Sequence, residues 1–182
     1  MADELMMPMP FPRYGQALNY YLKAQEFNPK SAHVNYQIGL CYLNTPQKFK
    51  ALEYFQNAFQ LNANLHPDIH YFLGRGFHLK MDWDKAINHY ETHKGRIDSK
   101  KDLEAYMDVN KRILECQSGK QLVKNPVRVW IDNMGKQINS AYPEYGMEMT
   151  ANASEIFFTS RRPGSTGDER DEFSDEYFED VY

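Results

Sequence analysis

A repeat with a period near 34 residues constrains this chain more than any other feature. Ala17-Leu18-x-Tyr20-Tyr21-x-x-Ala24-x-x-Phe27-Asn28 recurs 34 residues later as Ala51-Leu52-x-Tyr54-Phe55-x-x-Ala58-x-x-Leu61-Asn62. Ala86-Ile87-x-x-Tyr90 then follows Ala51-Leu52-x-x-Phe55 at a spacing of 35. The segments preceding these also match, Tyr36-x-Ile38-Gly39-x-x-Tyr42-Leu43 against Tyr71-x-Leu73-Gly74-x-x-Phe77-His78. Apolar residues three and four apart describe one face of a helix, so each period is a helix pair. A single pair cannot bury its apolar face alone, and neighbours must stack to form a continuous core.

The residue choices resemble the tetratricopeptide pattern. Gly39 and Gly74 are expected where the two helices of a pair come closest, with Ala51 and Ala86 as the small partners across that contact. Tyr42, Phe77, Phe55 and Tyr90 are expected to fill the space toward the next helix. Pro29 ends a helix, because the residue before a proline is driven out of helical geometry. The spacing predicts an isolated second helix near 13–27, a pair near 32–62 and a pair near 67–93, with turns at Asn44-Thr45-Pro46 and Met81-Asp82-Trp83. Residues 99–121 read as one further helix, on which Leu103, Tyr106, Met107, Ile113 and Leu114 recur at helical spacing. Its expected role is to cap the array. Residues 1–122 thus form a helical array with a capping helix.

After Asn125-Pro126 the period changes to two. Val127, Val129 and Ile131 alternate with Arg128 and Trp130, which predicts a strand. Glu155–Ser160 is a second strand candidate after the turn-forming Asn152-Ala153-Ser154, Met147-Glu148-Met149 a third, and Tyr177–Tyr182 a fourth. Residues 162–167 and the acidic run that follows are expected to form a polar loop. The fold class is therefore mainly α, a tetratricopeptide-type α-α superhelix followed by a small antiparallel β segment over 127–182.

That β segment resembles the first blade of a TolB-like (WD-like) β-propeller. The resemblance rests on Asn133-Met134-Gly135, Ile138-Asn139-Ser140, Tyr142-Pro143-Glu144-Tyr145, Phe158-Thr159-Ser160-Arg161-Arg162 and Glu179-Asp180-Val181-Tyr182. With the repeats in front of it, the chain is similar to the N-terminal part of large envelope proteins of Bacteroidetes-type bacteria. Members of that family continue with more blades and usually end in an OmpA-like, peptidoglycan-binding domain. Some members serve type IX secretion and gliding machinery. The resemblance implies a lipoprotein, periplasmic and outer-membrane-associated. Two departures stand out: Ala151-Asn152-Ala153 replaces the usual Ala-Asp-Gly-like turn, and Gly146-Met147 stands where a small residue and proline are usual. Residues 127–182 are too short to close a propeller by themselves, so a longer native chain is expected.

Composition excludes several function classes. No run of about 18 apolar residues exists to span a membrane, and Met1–Pro12 lacks the basic and apolar stretches of a secretory signal. The net charge of −4 hides an acidic cluster over 168–180; without it, 17 acids face 20 bases. That mild balance carries no basic stripe for nucleic acid. The two cysteines, Cys41 and Cys116, are too few for a disulfide framework, and Cys41 reads as a buried thiol. Among the six histidines, His66/His70 and His89/His93 have i,i+4 spacing. Pro67 interrupts the first pair, and no carboxylate completes a His-Glu-x-x-His site, so no metal is expected. His93 stands where Ala24 and Ala58 stand in the other repeats and is expected to pack at a helix contact. Arg161 and Arg162 are expected to meet acids of the same β segment. The acidic run lacks calcium-loop spacing. No catalytic or cofactor motif occurs, so the expectation is a non-enzyme with no cofactor.

The positive expectation is a groove for a protein or peptide partner. In tetratricopeptide pairs the first helix lines the groove at its second, fifth, ninth and twelfth positions. Here these are His33, Tyr36, Leu40 and Leu43, then Asp68, Tyr71, Arg75 and His78. The same residues can instead contact another part of the chain, above all the helix at 99–121. Two functions follow: a periplasmic scaffold of the OmpA-like family, with peptidoglycan held only by a C-terminal domain absent here, or a free-standing cytosolic tetratricopeptide adaptor with a degenerate β tail.

Overall fold

The computed structural model describes Asp3 and residues 13–164, 167–171 and 176–182. The expectations for Met1–Pro12, apart from Asp3, and for the loop at Ser165, Thr166 and 172–175 lie outside the described residues. The chain divides into two compact units, Met1–Val127 and Arg128–Tyr182.

The first unit is all helical: α1 Tyr14–Phe27, α2 Ala32–Leu43, α3 Ala51–Leu61, α4 Ile69–Leu79, α5 Trp83–Lys94 and α6 Leu103–Lys124, with a 3₁₀ turn at Lys48–Lys50 before α3. Side-chain caps fix several starts: Ser31 Oγ accepts from Val34 N, Asp82 from Lys85 N and Asp102 from Ala105 N. Each satisfies a backbone donor that a helix start leaves open. The turn before α5 puts Met81 in the left-handed region, at φ 59°.

The nearest neighbour across Gly39 is the ring of Phe55, and across Gly74 the ring of Tyr90. A Cβ at Gly39 would lie 2.6 Å from Phe55, and one at Gly74 2.7 Å from Tyr90. Glycine here makes room for an aromatic face, and both rings are fully buried. Ala51 and Ala86 are buried as well. Gly76 packs the other way, onto Leu52 of α3, and joins the second pair to the first. The core runs through Ile38, Cys41, Phe55, Ala58, Ile69, Leu73 and Tyr90 to Val109, Ile113 and Cys116.

Helix α6 corrects the expected apolar stripe. Val109, Ile113 and Cys116 turn inward, while Leu103, Met107 and Leu114 are about 60% exposed. Gly119 brings the end of α6 against Trp83 at the start of α5. The helix covers α5 with one row and shows a second row to solvent, because no described helix follows to cover it. Its start moves to Leu103 because Asp102 is the cap.

The second unit is a three-stranded antiparallel sheet in the order β1-β2-β3: Glu144–Met149, Ile156–Ser160 and Asp180–Val181. The pairs Glu144↔Ser160 and Met149↔Ile156 set the register, with a bulge between Tyr145 and Glu148 where Gly146 takes φ 63°. The expected strand at 127–131 is not formed. Val127, Val129, Trp130 and Ile131 are exposed and find no ladder partner among the described residues, and alternation without a neighbouring strand does not make a sheet. The hairpin turn shows what the Ala151-Asn152-Ala153 departure costs. Asn152 still accepts from Ser154 N, but Ala153 is forced to φ 56°. A side chain there is strained by about 1 kcal/mol. Ala153→Gly is therefore expected to stabilise the sheet by about 0.5–1 kcal/mol, read as slower exchange of the Phe158 amide.

Arg162 organises this small unit. Its guanidinium donates to the carbonyls of Gln137 and Ile138 at 3.0 and 2.7 Å, to Ser160 Oγ at 3.1 Å and to Glu144 at 3.1 Å. It also lies over the rings of Phe158 and Tyr182, 5.0 and 4.8 Å from their centres. Arg161 points to the other face and pairs with Glu176 at 2.8 Å and Glu179 at 2.5 Å. Both arginines meet acids of their own unit, as expected from sequence.

Candidate functional site

The face named from sequence is partly closed by the chain itself. Tyr36 is 5% exposed and Leu43 8%. Tyr36 stacks on His66 at 4.9 Å and meets Phe55 and Phe72 edge-on. Burial, with Asp68 nearby, holds its hydroxyl well above the usual tyrosine range. Tyr36 is thus a packing residue, because Phe72 of α4 lies against it, and Leu43 is buried in the same core. His33 is exposed, and Leu40, Asp68, Tyr71, Arg75 and His78 are intermediate.

Toward the end of the array the same face opens into a cleft of about 300 Å³ between α4 and α6. Asp68, Tyr71 and Phe72 form one wall, Asp102, Asp108 and Val109 the other, and His93 closes the end. Tyr71 Oη donates to Asp108 Oδ2 at 2.8 Å, tying α4 to α6. Asp108 also pairs with Arg112 at 3.4 Å, and Arg75 lies 6.0 Å over the Tyr71 ring. His78 is turned from the cleft toward α5, edge-on to Trp83 at 5.6 Å and near the Tyr90 hydroxyl at 3.5 Å. The cleft therefore offers an aromatic wall and carboxylates, with the Arg75 guanidinium beside it over the Tyr71 ring, which suits an extended polypeptide.

Sequence reasoning missed the second wall, since Asp102 and Asp108 lie on a helix read only as a cap. It also missed that His70 and His89, 19 residues apart, bring their Nδ1 atoms to 2.9 Å. That distance fits a hydrogen bond and is shorter than the roughly 3.3 Å that two imidazoles keep around a tetrahedral metal with bonds of about 2.0 Å. No group of three or more His, Cys, Asp or Glu side chains is placed to hold a metal among the described residues. His66 lies before the start of α4 while His70 lies inside it, as the intervening Pro67 predicts. His93 packs on Tyr71, ring centres 5.5 Å apart. Cys41 and Cys116 are buried and unpaired with each other. Burial pushes their thiols up, to about 12 and about 11, which keeps them as unreactive thiols at neutral pH.

Stacked helix pairs with glycine-to-ring contacts at a period of 35 make the first unit a tetratricopeptide-like array. No family model matches the chain. Over 79 residues it is 34% identical to the BBSome complex member BBS4 of Bos taurus. The matched stretch is 43% of this chain and 15% of that protein, so the chain spans a small part of the relative's length. Among solved structures it is similar to the MamA protein, at 20% identity and a TM-score of 0.41, over 65% of this chain and 70% of that one. No described helix is long and apolar enough to cross a membrane.

Proposed function

We propose that this chain is a non-enzymatic protein-interaction scaffold that holds an extended segment of a protein partner along the face formed by α2, α4 and the start of α6. The observation that carries this reading is the open cleft between α4 and α6, with Tyr71 fixed against Asp108. Asp68 belongs to the cleft itself; His33, Leu40 and Arg75 continue the face away from it, while the buried Tyr36 and Leu43 support it from beneath. Aromatic walls with few, fixed polar groups supply most of the energy in such contacts. A photo-crosslinking residue in place of Leu40 or Arg75, introduced in the producing cell, should capture the same protein at both positions. Glu53, exposed on α3, should capture none. Equal labelling from all three positions would remove the groove from the reading.

The finer proposal is that the chain is the N-terminal docking module of a periplasmic, outer-membrane-associated lipoprotein of the OmpA-like family, serving a secretion or envelope assembly. Its support is the blade-like motif set in 133–182, including the Arg161 and Arg162 pairing within the sheet. Peptidoglycan would be gripped only by a domain outside this chain. Fractionation of the native host should place the protein with outer membranes. Recovery from the cytosol would favour the adaptor reading and leave the groove untouched.

A further inference from the structure

The second repeat differs from the first in a way that the partner reading does not use. At a spacing of 35, His70 stands where α2 has Asn35, His89 where α3 has Tyr54, His78 where α2 has Leu43, and His93 where α3 has Ala58. Asn35 is 1% exposed and donates to the carbonyls of Pro29 and Ser31 at 3.0 and 2.9 Å, so it is satisfied at any pH. Between α2 and α3 the first repeat therefore packs without a histidine; His66, which stacks on Tyr36, comes from the connection before α4. The second repeat places a histidine pair between its helices.

His70 on α4 and His89 on α5 share one hydrogen bond, Nδ1 to Nδ1, at 2.9 Å. Aromatic rings enclose it. Phe77 stacks on His89 at 5.4 Å, and Phe59 of α3 meets His70 edge-on at 5.2 Å. The charged groups around the pair are few and mostly of one sign. His93 and Arg96 act on His70, and Lys85 of α5 lies over the Phe77 ring at 5.4 Å. Phe59 is the contact from α3. No described carboxylate acts on either ring to favour its charged form.

We propose that the α4–α5 repeat is an acid-triggered latch: double protonation of the His70–His89 pair parts α4 from α5 and loosens α6 with them, while α1–α3 stay packed. One proton leaves the bond intact, because an imidazolium still donates to a neutral imidazole. A second turns both facing nitrogens into donors and puts two like charges side by side in a half-buried site flanked by aromatic rings. Helix α6 follows because its described attachments are to this repeat, through Trp83 at Gly119 and Tyr71 at Asp108.

The direction of titration agrees. Burial lowers His70 and His89 below the ordinary histidine range, with His93 and Arg96 adding to it at His70. His78 and His93 are lowered by burial too, opposed by Glu115 and Asp68 respectively. A histidine lowered in the folded state keeps its full stabilising effect above its unfolded value near 6.5. It loses that effect as pH falls through the window below. With two protons taken up on opening, the opening equilibrium should rise by up to about 100-fold per pH unit in that window.

Hydrogen exchange of the full chain at pH 7.5 and 5.0, corrected for intrinsic rates, tests this directly. Protection should collapse across 69–94 and 103–124 and persist across 32–61. Equal loss in both repeats, or none, would overturn the proposal. His89→Gln removes one of the two titrating rings and should move the midpoint to lower pH. If His89→Gln leaves the midpoint in place while His78→Gln or His93→Gln shifts it, the pair is not the trigger. The wild-type measurement decides the matter alone if the variant fails to fold.

Discussion

Phe55→Ala is expected to lower the unfolding free energy of the helical unit by about 3–5 kcal/mol, read as the shift of its urea midpoint at constant slope. The ring is fully buried and lies against the backbone of α2 at Gly39, against Tyr36 at 5.9 Å and against Phe72 at 5.3 Å. Its removal empties a site that three helices line, and a stacked array can collapse into such a gap only by bending. The partner position makes the reasoning sharper. Gly39→Ala in an exposed helix would stabilise by up to about 1 kcal/mol. Here its Cβ would sit 2.6 Å from the ring, so it should instead destabilise by about 1–3 kcal/mol. In a Phe55→Leu background the same Gly39→Ala should cost far less, because the ring it strikes is gone. Additive effects would mean that the glycine serves something other than ring clearance.

Arg162→Lys is expected to loosen the β unit by about 2–3 kcal/mol although the charge is kept. The guanidinium serves two backbone carbonyls and the Ser160 hydroxyl while covering two rings. Each such bond contributes about 1 kcal/mol, and each stacked ring about 0.5–1 kcal/mol. An ammonium is a point donor and cannot span this fork or lie flat on Phe158 and Tyr182. The amides of Phe158 and Tyr182, which bond each other's carbonyls at 3.2 and 3.0 Å, should then exchange about 30- to 150-fold faster. Unchanged protection of these two amides would show that the sheet is held by its ladder alone.

The limits of reading a site from sequence follow from where its residues sit. Positions at helical spacing give the face of a helix, and His33, Tyr36, Leu40 and Leu43 do share one face of α2. Spacing does not say whether the rest of the chain covers that face, and Tyr36 lies under Phe72 of α4 while Leu43 is buried in the core. The carboxylates opposite Tyr71 come from α6 and its cap, Asp102, and helical spacing alone does not fix how α6 is rotated about its own axis. Leu103, Met107 and Leu114 form as good an apolar row as Val109, Ile113 and Cys116, and only packing against α5 chose between them. The β segment shows the same division. Ile156–Ser160 found partners on both sides and became a strand. Val127–Ile131 has as clear an alternation and no described strand beside it, so it forms no regular element and stays exposed.

By itself the sequence determined the repeat, its period, the boundaries of α1 to α5 within a residue or two, and the pairing of Arg161 and Arg162 with acids of their own unit, while α6 begins and ends three to four residues later than its spacing suggests. These are local properties or depend on contacts that every repeat makes in the same way. Tertiary structure alone decided that a ring lies nearest Gly39 and Gly74, which row of α6 is buried, and that His70 and His89 share a hydrogen bond between helices. Each of these depends on how one helix is rotated against another, a quantity set by the summed packing of all neighbours and by no short stretch of chain.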